Sequence, residues 1–532
     1  MRYEIFNKKI SGPFTIPAGI VNTEVSILEK IANEIPEIGI LTTKSIGLES
    51  RPGYREPIIA QYAPLSFINA VGLTNPGAEE FAKRISKVRI SNDKFLLISI
   101  FGGNEKEFRE VAERLLKFAD GFELNISCPH TEKYGQLIGK DPKLVEKIVK
   151  SVASLGKPVF VKISPNFDVE ETVKSALKGG ISGITAINTR GPELYLYDNY
   201  PVLSNKVGGI SGKVILELGL ASVRKIRELT TLPIIACGGI STAEDIKRYE
   251  KAGANFFGIG SALAGMRTEE IKQYFHDLLV DLEKGTNSAT SFLKEKLRAE
   301  YKKYKVRENK FLAEDLFLLR LNGQIETKPG QFIFAWLPER GEKPFSVLDD
   351  SPLTLLIQKR GYFTTELSKL KENDFIYIRG PYGLTPKIDN KILLVGGGTG
   401  IAGLYLFAKN QRVISLLGAK DKNHLAYLEE FEYCSEKLYL TTESGEIGNK
   451  GLVTDKLEEI IEKIKPDYCL NCGPEVMVRK AIEIESKFID RERIYSSIEF
   501  LTKCGLGLCG SCATSKGYRS CVDGTFLKVN QI

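Results

Sequence analysis

The chain has 532 residues, 42% apolar and 27% charged, with a net charge of +7. That length exceeds one hydrophobic core, so two to four domains are expected. The charge is spread thinly with no polybasic arm, no run approaches the roughly 18 apolar residues of a membrane span, and the N-terminus, MRYEIFNKKISGPF, lacks a signal-peptide pattern. The expectation is therefore a cytoplasmic protein with neither nucleic acid nor membrane as a partner. Of nine cysteines, four fall within the last 29 residues. In a reducing compartment such clustering points to metal or redox chemistry rather than disulfides. The three histidines, His130, His276 and His424, are too few and scattered to suggest a histidine metal site.

From about residue 13 to 285, short β-rich runs alternate with amphipathic stretches. Eight strands are expected: 13–18, 38–45, 95–103, 121–127, 158–164, 183–189, 233–239 and 256–262. Between the later ones, VEETVKSALKGG and AEDIKRYEKAGA place apolar residues at helical spacing and end near glycine. Eight strand–helix units imply an α/β fold, a parallel (β/α)8 TIM barrel. The C-terminal strand ends, where such barrels build their sites, carry Lys44, Asn125, Cys128, Lys162, Asn188, Gly238, Gly239, Gly260 and Ser261. A lone glycine pair is more often a plain turn. Glycines after strands seven and eight together suit a phosphate cradled by backbone N–H groups. Cys237, within strand seven, reads as packing.

These strand ends match a family pattern. Asn125-Ile-Ser-Cys128-Pro, Asn69 to Gly77, Lys44, Val161-Lys162, Asn188-Thr189 and Gly208 to Gly212 together resemble class 1 dihydroorotate dehydrogenase over nearly all of residues 3–283. The resemblance implies FMN contacts from Ala18, Gly19, Lys44, Ser45, Ser99, Asn125, Lys162, Ile187, Gly212, Gly238, Gly239, Gly260 and Ser261. It implies substrate contacts from Lys44, Asn69, Ala70, Val71, Gly72, Leu73, Asn125, Asn188 and Thr189. Cys128 matches the family's catalytic base, and Lys44 and Lys162 complete the catalytic set. Oxidising a C–C bond beside a carbonyl removes one proton and one hydride. A flavin accepts the hydride, a thiol of ordinary pKa near ~8.5 takes the proton, and lysines stabilise the negative charge that develops. Where the family has Asn two residues after the cysteine, this chain has His130. It reads as a substitute substrate donor, as a group that tunes Cys128, or as a plain loop histidine.

Residues 285–305 are polar and basic and read as a linker after a 1–284 barrel domain. Runs at 311–321, 330–337, 353–361 and 374–380 then suggest a small antiparallel barrel over 306–388. A nucleotide domain is expected over 389–492. Its strand–loop–helix pattern holds Gly396, Gly397, Gly398, Thr399 and Gly400, a phosphate loop by position though weak evidence alone. A later strand leads into Cys472, Gly473 and Pro474, assigned to the same NAD site. Cys469-x2-Cys472 itself reads as packing.

The strongest motif is Cys504-x4-Cys509-x2-Cys512-x8-Cys521, the plant-type [2Fe–2S] spacing, in a 493–532 segment. Four thiolates also suit structural zinc. The glycine-rich turn and the upstream nucleotide loop favour iron–sulfur. Residues 306–532 resemble the ferredoxin-reductase-like electron-transfer subunit of NAD-dependent class 1B dihydroorotate dehydrogenase. The resemblance implies FAD at Lys343, Pro344, Phe345, Ser346 and Thr364, with Lys343 where the family has Arg. It also implies a fused homodimer, joined through the barrels, that oxidises (S)-dihydroorotate to orotate in pyrimidine (UMP) biosynthesis. Electrons would pass from FMN to [2Fe–2S] to FAD to NAD+. Flavins convert between the two-electron steps at each end and the one-electron cluster. Two other readings compete: a dihydropyrimidine dehydrogenase-type pyrimidine reductase, and an NADH-dependent electron-transfer (diaphorase) module.

Overall fold

The computed structural model describes residues 3–126, 137–297 and 299–532. Cys128 and His130 lie outside the described residues. Contacts divide the chain into two units, Met1–Leu297 with Leu506–Ala513, and Arg298–Gly505 with Thr514–Ile532.

The first unit is built on eight parallel strands: Phe14–Thr15, Ile40–Thr42, Phe95–Ile100, Gly121–Asn125, Val159–Ile163, Gly183–Ala186, Ile234–Cys237 and Phe256–Gly258. Each falls within its expected range. Their spatial order is 1-8-7-6-5-4-3-2, and a parallel bridge from Phe14 to Ile38 brings the sheet's two ends together into a nearly closed barrel. Strands three to five are buried at every position, as parallel strands covered on both faces must be. The helices between them start on side-chain caps. Asn104 accepts from Glu107 N–H, Asp141 from Lys143 and Leu144 N–H, and Asp168 from Glu170 and Glu171 N–H.

Register sets the levels inside the barrel. Ser99 pairs with Glu123, Asn125 with Lys162, and Lys162 with Thr185. At the strands' N-terminal ends the interior is apolar. Phe95, Phe160, Ile235 and Phe256 form one cluster with Ile5 and Ile10 of an N-terminal hairpin. Towards the C-terminal ends it becomes polar. A four-stranded antiparallel sheet, in the order Arg190–Leu194, Val207–Gly212, Ser66–Asn69 and Ile59–Ala63, supplies further residues there. Segment Leu506–Ala513 belongs to this unit: Gly265 N–H donates to Leu506 O at 2.8 Å, and the Thr23 hydroxyl donates to Cys509 O.

The second unit begins with a seven-stranded antiparallel sheet running from Lys302–Ala313 to Phe375–Tyr382. Two expectations change here. Residues 302–305, assigned to the linker, pair with Phe375–Ile378 as part of the first strand. The 311–321 run is not one strand, because it turns at Glu314-Asp315 into a hairpin. A second seven-stranded sheet follows, parallel apart from its last member. Alternation along Ile392–Gly397 sends Leu393 and Val395 to one core and Ile392 and Leu394 to the other. The segment expected as a separate 493–532 domain contributes two strands to this sheet, Ile494–Ser497 and Leu527–Lys528, which pair with each other. Among the described residues no helix is long and apolar enough to cross a membrane.

Candidate functional site

The barrel's C-terminal strand ends enclose a cavity. Of the expected FMN residues, Ala18, Gly19, Lys44, Ser45, Asn125, Lys162, Ile187, Gly212, Gly238, Gly239, Gly260 and Ser261 line it. So do Asn69, Val71, Gly72, Leu73, Asn188 and Thr189 of the expected substrate set. Ser99 and Ala70 do not. Ser99 points inward one level deeper and is fully buried. Ala70 is buried in the backbone pairing, its N–H donating to Ile58 O. Gly238 and Gly239 both have positive φ, +114° and +79°, a backbone course after strand seven that favours glycine.

Below the cavity lies a hydrogen-bonded floor across four adjacent strands. Asn125 Nδ2 donates to Ser45 Oγ at 3.1 Å, Ser45 Oγ lies 2.9 Å from Ser99 Oγ, and Ser99 Oγ donates to Glu123 Oε1 at 3.0 Å. Lys162 Nζ is 3.8 Å from the same Glu123 oxygen, with both side chains nearly inaccessible. Two buried polar atoms of the lining, Asn125 Oδ1 and Thr189 Oγ1, have no hydrogen-bond partner among the described residues. Such atoms are costly unless a ligand satisfies them. Burial pushes the Cys237 thiol up to about 12, which keeps it protonated and inert at neutral pH, in keeping with a packing role.

Two charged residues were not anticipated from sequence. Glu123 was legible: it alternates with Asn125 on one strand and so shares its inward face. Lys213 was not. It lines the cavity and is held by the buried Asp245 carboxylate at 2.6 and 2.7 Å, a pairing between residues 32 apart.

The second unit has its own cleft, of about 890 Å³. Pro344, Phe345 and Ser346 line it from the antiparallel sheet. Gly397, Gly398, Thr399, Gly400, Cys472, Gly473 and Pro474 line it from the parallel sheet. Gly400 has to be glycine, since a Cβ there would sit 2.3 Å from Cys472 O. Gly396, Lys343 and Thr364 are not in the lining. Gly396 is a packed strand residue, and Thr364 Oγ1 accepts from Arg360 and Gly361 N–H to cap the next helix. Sequence reasoning missed Arg360, Glu443 and His424, all of which face the cleft. His424 bridges Asp421 (2.7 Å) and Asp315 (3.0 Å). Burial opposes its charge, yet these two hydrogen bonds hold its pKa above the ordinary value.

Cys509 and Cys512 lie in the first unit and Cys504 and Cys521 in the second. All four are buried thiols. Gly505, Gly507 and Gly510 between them have positive φ, so only glycine suits this winding of the loop. Cys504 O accepts from Arg379 Nη1 at 2.8 Å, and Arg379 is itself fully buried in a bidentate pair with Glu342 at 2.7 Å. Among the described residues no group of three or more His, Cys, Asp or Glu side chains stands ready to hold a metal ion.

Comparison with known proteins bears on the first unit. The family model described as dihydroorotate dehydrogenase matches residues 1–279. The catalytic subunit of dihydroorotate dehydrogenase B (NAD(+)) from Methanocaldococcus jannaschii is 39% identical over 269 residues, 49% of this chain and 87% of that protein. Its namesake from Pyrococcus horikoshii is 39% identical over 266 residues, 49% and 86%. That from Thermococcus kodakarensis is 41% identical over 229 residues, 42% and 75%. A solved structure of NADH-dependent reduced ferredoxin-NADP oxidoreductase aligns with 43% of this chain and 88% of its own, at 32% identity and a TM-score of 0.40. The α/β barrel with its polar mouth is thus that of an oxidoreductase acting on CH–CH donors. The chain belongs to the dihydroorotate dehydrogenase family.

Proposed function

We propose that this chain oxidises (S)-dihydroorotate to orotate in pyrimidine biosynthesis, with FMN in the barrel and NAD+ as the final acceptor. The observation that carries the reading is the barrel mouth. Lys44 and Lys162, the buried oxygens of Asn125 and Thr189 that have no partner among the described residues, and a positive-φ glycine pair converge there in a member of this family. Those groups fit a flavin phosphate and a planar, carboxylated pyrimidine. FMN, when bound, supplies a two-electron acceptor. Lys44 and Lys162 would hold the charge of the substrate carboxylate and of the reduced ring. Cys128, outside the described residues, is the proposed base. It would take the proton as a thiolate, so turnover should rise with pH towards the thiol's own pKa. His130 would assist by holding the substrate or by tuning Cys128.

For the second unit we infer FAD and NAD in the 890 Å³ cleft. We infer as well that Cys504, Cys509, Cys512 and Cys521 hold a [2Fe–2S] cluster. The buried Thr525 Oγ1, unpartnered in the cleft lining, and the close Gly400 turn favour a nucleotide there. Four buried thiols in the plant-type spacing, with glycines between the first three, fit an iron–sulfur cluster. The chain would then join catalytic and electron-transfer parts in one polypeptide, ordered FMN, cluster, FAD, NAD, and assemble as a homodimer through its barrels. An anaerobic titration of the purified protein with dihydroorotate tests the whole. Flavin and cluster absorbance should bleach together, and NAD+ should restore both. Uracil is the control. Reduction of uracil by NADH without a response to dihydroorotate would replace this reading with a dihydropyrimidine dehydrogenase-type activity. Dye reduction by NADH alone would leave only a diaphorase.

A further inference from the structure

The floor of the barrel cavity is a hydrogen-bond chain with only one workable direction. Glu123, 1% exposed, has a carboxylate that can only accept, so the Ser99 hydroxyl gives it its single proton. In the Ser45–Ser99 pair, Ser45 must then be the donor. Having used its proton, Ser45 can only accept from Asn125, and the Nδ2 amide lies 3.1 Å away. The reverse orientation would set hydroxyl lone pairs against the carboxylate. The amide is therefore left with Oδ1 as its unused group. That oxygen is buried without a hydrogen-bond partner among the described residues, on a residue that lines the cavity.

We propose that Glu123 is a positioning residue which, through Ser99 and Ser45, locks Asn125 with its carbonyl oxygen to the ligand. The site thereby selects a planar ring presenting N–H over one presenting a bare nitrogen. The inference rests on the flavin and pyrimidine reading above. The N–H belongs either to the pyrimidine or to the isoalloxazine ring, and a mismatched lone pair is rejected by repulsion as well as by the missing bond.

The test uses FMN-loaded full-length protein, wild type, Glu123→Gln and Ser99→Ala. Gln can donate or accept, so the chain is free to reverse, and Ser99→Ala cuts it. Dissociation constants for orotate and for pyrimidine-4-carboxylate, whose ring nitrogens carry no hydrogen, are read from flavin difference spectra. The preference for orotate should fall by about tenfold in both variants, the worth of one hydrogen bond exchanged for one clash. A merely structural effect would shift both constants together and leave their ratio alone. If instead the apoprotein's preference for FMN over N3-methyl-FMN falls, the N–H is the flavin's. Both ratios unchanged in both variants would overturn the proposal. A wild-type flavin spectrum indifferent to orotate would sink the pyrimidine reading, while the FMN ratio still decides this one. Should Glu123→Gln fail to fold, Ser99→Ala decides alone.

Discussion

Replacing Glu485 by Gln should make the second unit more stable, and increasingly so as pH rises. Glu485 is fully buried beside the second unit's parallel sheet. That burial pushes its carboxyl from an ordinary 4.5 up to about 8, even though Asn471 Nδ2 donates to it at 2.7 Å. The folded chain therefore keeps a proton that the unfolded chain has already released. Its contribution to stability is complete below about pH 4.5, declines as pH rises through 8, and is level above that. At roughly 1.36 kcal/mol per pH unit, holding the proton costs about 3 kcal/mol at pH 7 and about 5 kcal/mol above pH 8. Gln keeps an oxygen for Asn471 and has no proton to lose. Urea unfolding followed by Trp336, the chain's single tryptophan and a buried residue of this unit, measures the effect. The advantage of Glu485→Gln should be small at pH 4.5, grow steadily to pH 8 and then plateau. Parallel stability curves for the two proteins across that window would refute the reasoning.

Three other perturbations have expected outcomes. Cys128→Ala should retain FMN, yet flavin reduction by dihydroorotate in anaerobic stopped flow should slow by about 10²–10⁴-fold, the usual worth of a positioned base; an unchanged rate would make His130 the next candidate. Arg379→Met leaves Glu342 charged, buried and without its bidentate partner, and should cost about 3–5 kcal/mol in unfolding. The double variant with Glu342→Gln should recover much of that loss, and a loss that simply adds would show the pair uncoupled. Gly400→Ala would drive a methyl to 2.3 Å from Cys472 O, so NADH-driven dye reduction should require much more NADH while dihydroorotate still reduces the barrel flavin.

The barrel was legible in sequence because its strands are local. Short, mostly apolar runs such as Phe95–Ile100 and Val159–Ile163 alternate with capped amphipathic helices, and that rhythm survives without any long-range information. Most of the cavity lining was legible for the same reason, since each strand's last residues reach the same mouth. The glycines at 396–400 and the cysteine spacing were equally visible, being local geometry written in single residues.

What the sequence could not determine depends on partners far apart along the chain. Residues 302–305 look like a charged linker, yet they form a strand because Phe375–Ile378 lie beside them. Asn69 meets Gly209, and Gly212 meets Ser66, only through the antiparallel pairing of Ser66–Asn69 with Val207–Gly212, whose register no local pattern encodes. Ser99 was legible as inward-facing, but only the stagger of neighbouring strands sets it one level below the cavity, against Glu123. Composition and periodicity thus determined which faces are buried and where the chain turns. Only the tertiary structure decided which buried polar atoms satisfy one another and which, like Asn125 Oδ1, have no partner among the described residues. A hydrogen bond needs both partners in place, and a one-dimensional pattern supplies only one of them.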